Sequence, residues 1–308
     1  MTQAPSPQHA ARLTITSIAR LYAEGERIAM LTAYDYPTAR ILDAAGIPML
    51  LVGDSLGQVM LGYDSTVRVT MAEMLHHTRA VVRGTERALV VTDMPFLSYG
   101  VTLEASLENA GLLMRDGGAG AVKLEGGERS ARTIEAIVRA GIPVMGHIGL
   151  TPQSIHQLGG HRVQGKTREA GRRLLADALA VQHAGAFAIV LELVPEQLAA
   201  AITERLHIPT IGIGAGPGCS GQVQVITDLL GMSADFTPKH ARHYAELHSV
   251  IRTAAQAFQD DVRAGTFPGP EQTTRMDDAT LDEVLGRTEL DRADGIGAGR
   301  GIPLDRDL

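Results

Sequence analysis

The chain has 308 residues, 44% of them apolar and only 4% aromatic, with no tryptophan, one cysteine and a net charge of −7. That length supports a sizeable aliphatic core, in one large domain or two smaller ones. The same figures offer no basic or aromatic footprint for nucleic acid, and they exclude an internal disulfide and any multi-cysteine zinc site.

The chain opens on a polar, proline-rich stretch, Met1 to His9, and a flexible lead-in is expected over 1–11. No run approaches the length of a membrane span, so the expected location is cytoplasmic. From there on, apolar runs alternate with helical patterns. Strands are expected at 28–33, 48–53, 88–92, 120–124, 143–147, 186–191, 209–213 and 222–226. Helices are expected near 37–45, 70–83, 102–116, 130–140, 167–183, 195–206 and 240–263. Thr70-Met-Ala-Glu73 reads as a capping box, Pro195 falls in a first helical turn, and Gly46, Gly141 and Gly185 stand where helices should end. About eight βα units over some 250 residues match the size of an α/β protein of the (β/α)8 TIM barrel class. A doubly wound sheet is the competing architecture, but Thr32-Ala-Tyr-Asp35 occupies the turn where its glycine fingerprint would stand.

Four of the strands end on an acid: Asp54, Asp93, Glu125 and Glu192. Unalternating Val, Leu and Ile runs suit strands buried on both faces, and in such sheets ligands gather at the strands' carboxyl ends. Asp54 with Ser55, and Asp93 before Met94-Pro95, could each be a plain turn. Together, two strand-end carboxylates can instead converge on a hard cation. Lys123 lies two residues before Glu125, so both side chains point to the same side of the strand. They form either a structural ion pair or a site for an anion beside a metal. Glu192 is flanked by aliphatics, a setting that favours the neutral acid and suits a general base, although a helix cap would also explain it. His147 could serve the site or the core. His76-His77 reads as helix surface, since adjacent residues do not share a face. Gly212-Ile-Gly-Ala-Gly216 is either a phosphate-gripping loop or a tightly packed turn. The loops Ser55–Val69 and Leu150–Lys166 are long enough to be lids or binding loops. After residue 270 an acidic, disordered extension is expected over 271–308. Residues 276–308 hold nine acids against four arginines, which is −5 of the net charge, and one amphipathic turn or two is expected at 280–290.

In their order, Thr32-Ala-Tyr-Asp-Tyr-Pro37, Leu51-Val-Gly-Asp-Ser-Leu-Gly57, Asp93-Met-Pro-Phe96, Val122-Lys-Leu-Glu-Gly-Gly127, Gly146-His-Ile-Gly-Leu-Thr-Pro-Gln-Ser154 and Gly212-Ile-Gly-Ala-Gly216 resemble the ketopantoate hydroxymethyltransferase family over residues 12–270. The resemblance implies a barrel of the phosphoenolpyruvate/pyruvate type. It implies hydroxymethyl transfer from 5,10-methylenetetrahydrofolate to 3-methyl-2-oxobutanoate, giving 2-dehydropantoate on the way to pantothenate, through an enolate stabilised by Mg2+. Matched by motif, Asp54, Asp93 and Glu125 correspond to the acidic groups at Mg2+. Asp54, Ser55, Asp93 and Lys123 correspond to groups that hold the 2-oxo acid, and Glu192 to the proton acceptor. A homo-oligomer, a decamer of two pentameric rings, is also implied. Ser220, His161 and Gln272 depart from the family's usual residues, which bears on the folate side and oligomer contacts rather than on the acids. A carbon–carbon lyase of the same barrel type would bring a reactive cysteine to a strand-end loop. Cys219, after the seventh strand, does not fit that demand.

Overall fold

A computed structural model describes residues 12–233 and 237–287. The expected lead-in over 1–11 and the last part of the extension lie outside them. The order of elements is α1 (Ile15–Ala23), β1 (Ile28–Thr32), α2 (Tyr36–Ala44), β2 (Met49–Val52), α3 (Leu56–Val59), α4 (Met71–Arg83), β3 (Leu89–Asp93) and α5 (Leu103–Arg115). Then come β4 (Ala121–Glu125), α6 (Glu128–Arg139), β5 (Val144–Gly149), α7 (Ile155–Leu158), α8 (Arg168–His183), β6 (Ala188–Glu192) and α9 (Glu196–Arg205). The order closes with β7 (Thr210–Ile213), β8 (Gly221–Gln224), α10 (Ile226–Leu229), α11 (Leu247–Ala264) and α12 (Asp278–Leu285). The eight strands are all parallel and close into a barrel in sequence order, with β1 paired to both β2 and β8.

Two-residue periodicity divides each strand. Met49, Leu51, Leu89, Val91, Ala121, Met145, Ala188, Val190 and Ile211 share one buried cluster, the barrel interior. The alternate residues, among them Leu50, Val52, Val90, Val122, Leu124, Ile189 and Leu191, pack with the helices. In α6, Ile134 and Ile137 are fully buried there. Each such side chain contributes about 1.5–3 kcal/mol of burial. Lys123 and Glu125 continue the inward parity of Ala121, which carries both charges to the interior at the strand ends.

Several elements differ from the expectation. Helix α1 was not expected, yet Thr14 and Ser17 cap it reciprocally, and fully buried Ile18 joins the cluster of strand-start side chains. The long helix begins at Leu247 rather than near 240. The Tyr244 and Leu247 N–H groups donate to the carbonyls of Leu229 and Leu230, so that stretch caps α10 instead of winding into a helix. Pro195 stands just before α9 rather than inside its first turn. The chain divides into two compact units between His248 and Ser249. In the second, every side chain from Ser249 to Ala264 is exposed, and α12 fills the segment where short amphipathic turns were expected.

In the glycine-rich stretch after β7, the structure supplies the close packing that was one of its two readings. Residues 214–220 return the chain to the start of β8 without a helix. A Cβ on Gly216 would lie 2.5 Å from Glu196, and one on Gly218 would lie 2.7 Å from Ala200, so the glycines let this connection lie against α9. Cys219 is buried next to the start of β8, away from the strand ends that carry the acids. Among the described residues, no helix is long and apolar enough to cross a membrane.

Candidate active site

The carboxyl ends of β2 to β6 bring together the acids singled out in the sequence. Asp54, Asp93, Lys123, Glu125 and His147 are all buried. The Asp54 N–H donates to Asp93 Oδ2 at 3.0 Å, which ties the ends of β2 and β3. Asp93 Oδ1 faces Lys123 Nζ at 2.9 Å, an ion pair without hydrogen-bond alignment. Ser55 follows Asp54, and its hydroxyl lies 2.8 Å from the Tyr34 hydroxyl.

His147 joins the two halves of the cluster. Its Nδ1 lies 3.2 Å from Lys123 Nζ and 3.5 Å from Glu125 Oε1, and its Nε2 lies 3.2 Å from Glu192 Oε2. Burial opposes the imidazolium, as does the Lys123 charge, but Glu125 and Glu192 outweigh both and raise its pKa to about 9. Burial also opposes the Lys123 ammonium, and there Asp93, Glu125 and Asp54 prevail and raise the pKa. Two basic side chains 3.2 Å apart, Lys123 and His147, therefore border the site, a setting that favours an anionic ligand. Glu192 is not enclosed by aliphatics as its sequence neighbours imply. Its side chain is 17% exposed and turns to the imidazole, with Oε2 3.2 Å from Nε2 in a contact without hydrogen-bond alignment.

Three further residues lacked a strand-end signature. Gln153, in the turn after β5, touches Asp54, Glu125 and Tyr99. The Tyr99 hydroxyl accepts the Glu125 N–H at 3.1 Å, and burial raises its pKa, so it remains a phenol. Tyr34 holds Ser55, and its own carbonyl lies 2.6 Å from His77 Nδ1, which gives His77 a structural partner rather than a surface position. The shared motifs at 32–37 and 146–154 contain Tyr34 and Gln153 and were the only signal for them. The long loops after β2 and β5 enclose a cavity of about 560 Å³, lined in part by Gln58, Arg68, Pro152, Ile155, His156 and His161. None of the cluster's acids lines it; Pro152 does, one residue before Gln153 in sequence.

A closed parallel barrel with a buried lysine, neighbouring buried carboxylates and one more accessible glutamate at its strand ends has the build of an enzyme of the TIM-barrel class. The comparisons narrow the class to a family. The ketopantoate hydroxymethyltransferase profile matches residues 12–270. A 3-methyl-2-oxobutanoate hydroxymethyltransferase of Chloroflexus aurantiacus is 61% identical over 89% of this chain and 97% of its own length. One from Dehalococcoides mccartyi is 56% identical over 89% and 97%. The chain belongs to the ketopantoate hydroxymethyltransferase family. Among solved structures, phosphonopyruvate hydrolase with oxalate and Mg2+ has a TM-score of 0.55 at 12% identity, covering 92% of this chain and 98% of the other. A 2,3-dimethylmalate lyase scores 0.54 at 19% identity, covering 91% and 97%. These two likenesses show the fold.

The residues present fit the divalent cation that the family implies. Asp93 Oδ1 and Glu125 Oε1 are buried oxygens without an aligned hydrogen bond. Burial, then Asp93, then Glu125 push the Asp54 pKa well above the usual carboxylate range, and Lys123 and Gln153 offset only part of that. Four acidic side chains, Asp54, Asp93, Glu125 and Glu192, stand against two basic ones, Lys123 and His147, in the cluster. Among the described residues, no three His, Cys, Asp or Glu side chains already converge as a metal-binding set. Mg2+ is suited to one or two carboxylates completed by water and substrate oxygens.

Proposed function

We propose that this chain transfers a hydroxymethyl group from 5,10-methylenetetrahydrofolate to 3-methyl-2-oxobutanoate, giving 2-dehydropantoate for pantothenate synthesis. Family membership supports the reaction. One structural observation carries the assignment of roles: a buried, cationic Lys123 and a partly accessible Glu192 carboxylate lie on opposite sides of the His147 ring.

In this reading Asp54 and Asp93 hold Mg2+ and Glu125 lies beside it, while Lys123 and Ser55 receive the carboxylate and keto oxygens of the 2-oxo acid. Bound Mg2+ would supply Lewis-acid polarisation of the keto group. Glu192 removes the proton from C3, its carboxylate held beside the His147 ring. Lys123 stabilises the negative charge that moves onto the substrate oxygen. Water opens the carrier's methylene bridge, breaking both of its carbon–nitrogen bonds and releasing tetrahydrofolate and the one-carbon unit as formaldehyde. The C3 carbanion equivalent then adds to the formaldehyde carbonyl, and the resulting alkoxide takes up a proton to give the hydroxymethyl group. The cavity between the β2 and β5 loops gives the carrier room. A non-catalytic barrel is disfavoured, because such a scaffold has no need for four buried ionisable groups clustered with a buried imidazole.

The exposed apolar side chains Val250, Ile251, Phe258 and Val262 on α11 support assembly into a homo-oligomer, for which we carry over the decamer of two pentameric rings. We also place its work in the cytoplasm. The test is direct: purified protein with both substrates and Mg2+ should form 2-dehydropantoate, and in D2O without folate it should exchange the C3 proton. Absence of both product and exchange would overturn the reading.

A further inference from the structure

Gln153 is 6% exposed and uses its main chain and both ends of its side chain at the cluster. Its Nε2 donates to Asp54 Oδ2 at 2.8 Å and to the Met94 carbonyl at 3.0 Å. Its Oε1 accepts from the Tyr99 hydroxyl at 2.7 Å, and its backbone N–H donates to Glu125 Oε2 at 3.1 Å. The amide can face only one way. If it were flipped, Oε1 would lie against a carboxylate and a carbonyl, two acceptors it cannot satisfy. The turn bearing it is anchored on both flanks, by Arg129 to Ser154 Oγ at 2.8 Å and by the Leu150 N–H to the Glu192 carbonyl at 2.8 Å.

We propose that Gln153 is a positioning residue that sorts the oxygens of Asp54 and Glu125, occupying one oxygen of each and leaving the other turned to the cation side. It rests on the reading of these carboxylates as the Mg2+ side of the site. Three observations carry it: Asp54 Oδ2 and Glu125 Oε2 are both held by Gln153, Glu125 Oε1 is buried without an aligned hydrogen bond, and Tyr99 fixes the amide's direction. A carboxylate oxygen that already accepts a short hydrogen bond is the poorer metal donor of the two, so Gln153 biases each acid toward donation through one oxygen. That suits a cation that keeps most of its water and substrate ligands. Partners of this kind, one bond removed from a metal, typically govern its affinity by 10–100-fold.

The test is Mg2+ titration calorimetry on the intact protein, with C3 proton exchange as a second readout. Gln153→Met keeps the volume and the backbone N–H but removes the amide, and Mg2+ affinity should fall by about 10–100-fold. Exchange at saturating Mg2+ should recover to within about threefold of wild type, because Glu192 and His147 are unchanged; general packing damage would lower the saturated rate as well. Tyr99→Phe keeps the amide but frees its direction. It should produce a smaller loss of affinity that does not add to the Gln153→Met loss in the double variant. If Gln153→Met folds poorly, Tyr99→Phe alone decides. Wild-type Mg2+ affinity in the folded variants would overturn the positioning role while leaving the function intact. Failure of the wild type to bind Mg2+ would overturn the cation reading and this inference together.

Discussion

His147 Nε2 and Glu192 Oε2 lie 3.2 Å apart across the ends of adjacent strands β5 and β6. The contact holds the Glu192 side chain toward the ring, the placement on which its proposed role as base depends. Glu192→Gln should slow C3 proton exchange by about 10²–10⁴-fold, the usual worth of a positioned base. Binding of 3-methyl-2-oxobutanoate should survive. His147→Gln keeps a hydrogen-bonding group near Glu192 but removes the cation, so exchange should slow by a smaller factor. NMR of the C3 proton in D2O measures both, and exchange at the wild-type rate in Glu192→Gln would remove Glu192 from the mechanism.

Lys123 should stay an ammonium throughout the reaction. Its carboxylate neighbours favour the charged form, which cannot attack a keto group to form a Schiff base. Borohydride added with the 2-oxo acid should therefore leave the protein mass unchanged, and a substrate-sized adduct on Lys123 would show the opposite. Lys123→Met should also destabilise the fold by about 3–5 kcal/mol, because it leaves Asp93 buried without its counter-charge.

The sequence makes the strands legible because parallel strands buried on both faces leave unbroken aliphatic runs. It also makes the acids legible, because they interrupt those runs. Lys123 and Glu125 were readable as a pair from parity alone. What the spacing could not show is closure across the barrel mouth. Gln153 meets Asp54 from 99 residues away, and no local pattern marks that contact. Glu192 misled for the same reason: its aliphatic neighbours in sequence face the helices, while its own side chain faces His147. The glycine-rich loop stayed open to two readings because close approach of backbone to α9 demands the same residues as a phosphate cradle.

Glu73 gives stability a dependence on pH that is separate from the active cluster. It accepts hydrogen bonds from the Tyr63 hydroxyl and from the Thr70 N–H and hydroxyl, and the Tyr63 bond above all lowers its pKa. A depressed carboxylate contributes stability above its unfolded value, about pH 4.3, and loses it as pH falls through the folded value. Glu73→Gln should cost about 1 kcal/mol at pH 7, the scale of a helix cap, and the gap to wild type should narrow below about pH 4. Denaturant melts at both pH values measure it, and a gap that widens in acid would contradict the assignment.

The last prediction uses a single methyl group. Gly149 ends β5 at φ +95° opposite Glu192, and a Cβ there would lie 2.2 Å from the Glu192 carbonyl oxygen and 2.9 Å from Val194. Gly141 has a similar φ of +88°, but a Cβ there would have no heavy atom within 4 Å. Both alanine variants carry the same left-handed backbone penalty, about 1–2 kcal/mol. Only Gly149→Ala must also push Glu192 out of register. That variant should lose about 10²-fold in kcat, the scale of an ångström's misplacement at a reacting group, while Gly141→Ala keeps kcat near wild type and shows only a lowered Tm. Equal kcat losses would mean that backbone strain alone limits turnover. A loss confined to Gly149→Ala would show that pairing between β5 and β6 sets the position of the base.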